Sequence, residues 1–127
     1  MPVQLRLMPE TFAVCRYAPD TPPGDLIPPE GFFALTRTDD EISLVVPEPA
    51  SPSNCTVEPG WRGMKVLGPL DFSMIGILSS LALPLAVAEI SVFAISTYDT
   101  DYLLVKAEKL DGALKALREA GFVIHEK

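Results

Sequence analysis

The chain has 127 residues, 48% of them hydrophobic, with 17 acidic against 10 basic side chains and a net charge of −7. That length allows one compact domain or two small ones packed together, with enough apolar material for a core. The acidic balance argues against nucleic acid or an anionic membrane surface as a partner, because both select basic patches.

Met1–Arg6 runs into Pro9 and Glu10 rather than into an apolar signal core, so no targeting segment is read and a cytoplasmic location is expected. Gln4–Met8 and Thr11–Tyr17 alternate as strands, with Pro9-Glu10 read as a turn between them and Phe12, Val14 and Arg16 sharing one side. The prolines of Ala18–Gly31 preclude a long helix and leave one turn at Asp25–Ile27. Phe32–Thr38 and Glu41–Val46 read as strands around an Asp39-Asp40 turn, and Pro47–Pro59 as an exposed, irregular Pro/Ser-rich connection.

The second half reads strand, helix, strand, strand, helix, strand. Trp61–Leu67 is extended. Met74, Ile77 or Leu78, Leu81 and Leu85 recur at helical spacing, with Asp71 or Ser73 as candidate cap and Pro84 near the end. Gly76, Ser79, Ser80, Ala82 and Ala86 keep the other faces of that helix small. The apolar run Met74–Ala88 is interrupted by Ser79, Ser80 and Pro84 and falls short of the ~20 residues of a membrane span. Ile90–Lys106 reads as two strands joined by the polar turn Ser96–Asp101. In Leu110–Ala120 the residues Leu110, Ala113, Leu114 and Leu117 form one apolar stripe, and Gly121 stops the helix before the strand Phe122–Ile124. This order predicts an α+β fold of ferredoxin-like (βαββαβ) type, an antiparallel sheet with helices on one face.

Phe33–Val46 aligns without gaps on Phe93–Lys106, sixty residues later, with Phe33 on Phe93, Ala34 on Ala94, Asp39 on Asp99 and Leu44 on Leu104. Such a repeat predicts tandem copies of one supersecondary unit: residues 1–60 with reduced helices, and residues 61–127 complete.

Cys15 reads as a small core hydrophobe and Cys55 as part of a polar loop, both as free thiols. With one histidine, His125, near the tail, no metal site is expected. Asp99 and Asp101 read as turn residues rather than as an acid–base pair, because no histidine or nucleophile accompanies them. No catalytic residue and no cofactor are predicted.

Ile90-Ser91-Val92-Phe93, Ser96-Thr97-Tyr98 and Thr100-Asp101-Tyr102 with Leu104-Val105 resemble the ISVF…STYxTDFxLV pattern of the CASTOR-type ACT family. Phe32–Thr38 with Glu41 resembles that family's FFSLTxT…E segment, and Ile75-Gly76 the start of its first helix. The resemblance runs from Phe32 onward. It implies tandem ACT modules and an amino acid held between the strand-to-helix loop and the hairpin. Carried over by position, it implicates Phe72, Ser73, Ile75 and Gly76 on the loop and Thr97, Tyr98 and Asp101 on the hairpin. Tyr98 reads equally as a packing aromatic. The expected protein is a non-enzymatic, homodimeric sensor or regulatory module that binds an amino acid; the alternative is a ligand-free oligomerisation module.

Overall fold

A computed structural model describes residues 3–48, 54–67 and 76–127 of the protein. Among these the strands are β1 (Gln4–Tyr17), β2 (Ala34–Arg37), β3 (Ile42–Pro47), β4 (Thr56–Val66), β5 (Phe93–Ser96), β6 (Asp101–Lys106) and β7 (Val123–His125). The α-helices are α1 (Ile77–Val87) and α2 (Leu110–Glu119). The chain forms two compact units, one of Met1–Pro9 with Arg62–Lys127 and one of Glu10–Trp61, so β1 and β4 each contribute residues to both.

In the unit that holds the C-terminus the strands lie in the order β7-β1-β4-β6-β5. β5 and β6 pair antiparallel from Phe93 opposite Leu104 to Ser96 opposite Asp101. The Leu67 N–H donates to the Gln4 carbonyl at 2.8 Å, and β1 pairs with β7 in parallel through Gln4–Arg6. One apolar core joins Leu5, Met64, Val66, Leu103, Val105 and Ile124 from the strands to Leu81 and Leu85 of α1 and Leu110, Ala113, Leu114 and Leu117 of α2. Both helices therefore cover the same sheet face, and the α2 stripe is the one the sequence predicts. Gly121 adopts φ +98°, where a Cβ is strained, and α2 closes through Gly121 N–H to the Arg118 carbonyl and Phe122 N–H to the Leu117 carbonyl.

The Glu10–Trp61 unit has the strand order β2-β3-β1-β4. β3 pairs antiparallel with β1, Phe12 opposite Pro47 to Tyr17 opposite Ile42, and with β2, Ala34 opposite Val45 to Arg37 opposite Ile42. Its helical content among the described residues is a 3-10 turn, Pro23–Leu26, overlapping the single turn expected there. Its core consists of Ala13, Cys15, Tyr17, Ile42, Leu44 and Val46, with Leu26, Leu35, Cys55 and Val57 packed against it.

Three expectations need correction. Pro9-Glu10 is not a turn: β1 runs unbroken from Gln4 to Tyr17. Proline's fixed φ suits extended backbone, and only its missing donor distinguishes the position. Within Thr11–Tyr17 the residues Ala13, Cys15 and Tyr17 face the core as the alternation implies, while Phe12 lies on the opposite side with Val14 and Arg16, edge-on to Phe32 with ring centroids 5.5 Å apart. The connection after β3 is shorter than expected, because β4 already begins at Thr56. It accommodates Pro59 and a Gly60 at φ +79° whose N–H donates to Glu48 Oε2 at 2.7 Å. Finally, the helix expected from Met74 starts at Ile77, behind a Gly76 N-cap.

The two hairpins share one design, but at an offset of 59 residues, not sixty. Thr38 N–H donates to the Glu41 carbonyl at 2.9 Å, and Thr97 N–H to the Thr100 carbonyl at 2.8 Å. Each threonine Oγ1 also accepts the N–H three residues on, from Glu41 at 3.2 Å and from Thr100 at 3.3 Å. In this register the buried triplet Leu44, Val45, Val46 matches Leu103, Leu104, Val105. A slip of one residue would exchange the buried and exposed faces, so the turn chemistry outweighs the Phe33/Phe93 identity. Thr100 differs from its counterpart in being buried, 4% exposed, and its Oγ1–H donates to the Val66 carbonyl at 2.7 Å.

Two stability predictions follow from this packing. Leu103→Ala, at a fully buried core position, is expected to cost about 2–5 kcal/mol in urea unfolding, whereas Leu83→Ala, at a side chain 65% exposed, changes little. Thr100→Val leaves the Val66 carbonyl without its donor and is expected to cost about 1–3 kcal/mol, with Thr100→Ser close to wild type. Equal stability of Thr100→Val and wild type would show that this bond does not hold the hairpin.

Candidate functional site

The hairpin turn is built by its two threonines. Thr97 closes it on itself: its hydroxyl donates to the Thr100 carbonyl at 3.0 Å and accepts the Thr100 N–H. Thr100 then ties the turn to Val66, the last residue of β4. Between these anchors Tyr98 stands 82% exposed and Asp99 is exposed. Asp101, half-buried, opens β6 opposite Ser96. The three predicted hairpin residues thus share one short turn. Thr97 shapes that turn by its hydrogen bonds, and Asp101 carries the more sheltered of its two carboxylates.

Of the four predicted loop residues, Phe72, Ser73 and Ile75 lie outside the described residues. Gly76 is the N-cap of α1, with φ +81°, a left-handed conformation suited to glycine. The expected cap residues Asp71 and Ser73 lie outside the described residues, and among the described residues no side chain caps the helix start. The hydroxyls of Ser79 and Ser80 turn back to donate to the carbonyls of Gly76 and Ile77, at 3.3 and 2.8 Å. The backbone N–H groups of a helix's first turn have no partner within the helix and carry partial positive charge. Among the described residues no side chain accepts from them at α1.

The outward side of α1 forms an open groove of about 420 Å³ lined by Gly76, Ser79, Ser80, Ala82, Leu83 and Ala86. Leu83 and Val87 are 65% and 77% exposed, and no charged side chain occurs between Gly76 and Ala88. His125 Nε2 lies 2.7 Å from Gln4 Oε1, at the β1–β7 pairing. Among the described residues no group of three or more His, Cys, Asp or Glu side chains is placed to hold a metal ion. No described helix is long and apolar enough to cross a membrane.

The residue that sequence reasoning passed over is Thr100, which fixes where the turn sits. Its signal was available: Thr97 and Thr100 stand three apart around Tyr98-Asp99, the spacing at which a hydroxyl caps a turn. Its burial and its bond to a residue 34 positions away were not.

Residues 56–119 match the family model described as ACT domain. The human protein "Cytosolic arginine sensor for mTORC1 subunit 1" is 32% identical over 95 residues, covering 68% of this chain and 29% of that protein; the bovine protein of the same name matches equally. The chain thus spans under a third of the length of those relatives. The crystal structure of protein Atu0741 from Agobacterium tumefaciens superposes with a TM-score of 0.89 at 31% identity, covering 100% of this chain and 95% of that one. The regulatory subunit of aspartate kinase from Thermus thermophilus gives a TM-score of 0.69 at 10% identity, over 92% of this chain and 96% of that subunit, a likeness of fold. With the family model covering half of the sequence and a whole-length relative at 31% identity, the chain belongs to the ACT domain family.

Proposed function

We propose that the protein is a non-catalytic regulatory module that binds a free amino acid between the segment 71–76 and the hairpin turn Thr97–Asp101. The observation that carries this reading is the Thr100–Val66 hydrogen bond. It fixes the turn beside the end of β4, the strand that leads into the 71–76 segment. The start of α1 supplies backbone donors and a favourable partial charge for an α-carboxylate. Asp101 with Thr97 supplies acceptors for an ammonium or guanidinium group, and Tyr98 covers the apolar stem. Phe72, Ser73 and Ile75 complete the site by analogy of position. The names of the relatives point the same way: one is an arginine sensor, another the regulatory subunit of an aspartate kinase. The identity of the amino acid is left to experiment.

In the same reading the protein is cytoplasmic, like its curated relatives named cytosolic, and built of two ACT-like modules, residues 1–60 with reduced helices and residues 61–127 complete. It acts as a homodimer. Exposed apolar side chains on an uncharged helix mark a surface that is ordinarily covered, and α1 exposes Leu83 and Val87 with no charged side chain between Gly76 and Ala88. A second copy of the same uncharged face is the occupant that matches it. That face also favours the alternative reading, an oligomerisation module without a ligand.

Titration calorimetry against the twenty amino acids separates the two, since the module without a ligand gives no heat with any of them. For the amino acid that binds, Asp101→Ala removes a charge-assisted hydrogen bond of roughly 1.5–3 kcal/mol and is expected to weaken affinity about tenfold or more, while Asp99→Ala changes it little. Equal effects of the two substitutions would place the site elsewhere. In sedimentation equilibrium at roughly tens of micromolar the wild type is expected to be dimeric and Leu83→Glu monomeric with an unchanged circular dichroism spectrum. A wild type that remains monomeric contradicts the α1 interface.

A further inference from the structure

The Glu10–Trp61 unit brings together the two cysteines of the chain, forty positions apart in sequence. Cys15 lies on β1 and is 1% exposed, within the apolar cluster of Ala13, Tyr17, Ile42, Leu44 and Val46. Cys55 directly precedes β4, the sheet neighbour of β1, and follows Asn54, whose φ of +60° marks a tight change of chain direction. It is half-buried and packs against the same cluster, with its thiol within hydrogen-bonding reach of both the Cys15 thiol and the Tyr17 hydroxyl. Both cysteines are free.

We propose that Cys15 and Cys55 form an oxidisable thiol pair, which hydrogen peroxide converts to a disulfide that ties β1 to the start of β4. Two thiols in mutual contact, one sealed in the core and the other facing its edge, supply a resolving and an attacking sulfur. Burial pushes the Cys15 thiol up to about 11, so Cys15 stays protonated at neutral pH and the reaction begins at the more accessible Cys55. The Cys55 thiolate attacks one peroxide oxygen, the O–O bond breaks, and the products are a sulfenic acid and, after protonation, water. The Cys15 sulfur then attacks the Cys55 sulfur. The S–S bond forms, the S–O bond breaks, and the Cys15 proton leaves with the hydroxyl as a second water. Two electrons pass from the two thiols to one peroxide. The closed loop from residue 15 to residue 55 restricts the unfolded chain of this unit, so the oxidised form is expected to melt at a higher temperature than the reduced form.

The test uses the full chain, reduced and then freed of reductant. On treatment with a small molar excess of hydrogen peroxide, intact mass is expected to fall by the mass of two hydrogens. Thiol titration in denaturant is expected to fall from two groups to none, with the protein still a single chain on a non-reducing gel. Dithiothreitol should restore both thiols. Cys55→Ser is expected to keep its Cys15 thiol unoxidised under the same treatment. Gain of one or more oxygens at Cys55 with the Cys15 thiol intact, disulfides formed only between chains, or no reaction at all would each overturn the proposal. The wild-type mass and thiol count decide the matter even if this substitution impairs folding.

Discussion

One buried hydroxyl sets the position of the second hairpin. Thr100 is a polar residue in an otherwise apolar neighbourhood, and burying a hydroxyl without a partner is costly. The Val66 carbonyl answers that requirement at 2.7 Å. Because the bond must be made, the turn between β5 and β6 has one place to sit, beside the end of β4. Thr97 closes the same turn internally, so the exposed side chains of Tyr98 and Asp99 and the half-buried Asp101 project from a backbone held at both levels. A binding loop needs this combination of mobile-looking chemistry and fixed backbone.

Much of the fold could be read from the sequence wherever a single physical rule decided it. The stripe Leu110, Ala113, Leu114, Leu117 is an amphipathic helix by spacing alone, and Gly121 ends it because the chain needs a positive φ there. The residues that failed are those where two rules competed. Pro9 reads as a turn by propensity, yet a strand tolerates it where no ladder donor is required. The sixty-residue repeat was read from Phe33 and Phe93, but hairpin register follows the turn, and the turn threonines are Thr38 and Thr97. Cys55 sits among prolines and serines, a polar context, and only the pairing of β4 with β1 carries it to the edge of a core.

The candidate site divides in the same way. Its residue types on the hairpin were legible because a tyrosine and two carboxylates in a short polar turn stand out between strand-forming arms. The dependence of that turn on Val66 was not, since it joins residues 34 apart. The start of α1 was misplaced because Met74–Leu78 is apolar without a polar break, so periodicity gives no boundary there; the boundary comes from Gly76 at φ +81°. Its lack of charged side chains leaves α1 with exposed apolar residues, Leu83 and Val87, beyond what its own core covers.

The central claim is that the start of α1 and the Thr97–Asp101 turn together hold an amino acid. The most direct measurement is a ¹H–¹⁵N correlation spectrum of the labelled protein, titrated with whichever amino acid gives calorimetric heat. The account predicts saturable shifts concentrated at the amides of Gly76–Ser79 and Thr97–Asp101, with the Glu10–Trp61 unit unperturbed. Saturable shifts centred on that other unit, with the hairpin turn unchanged, would contradict it.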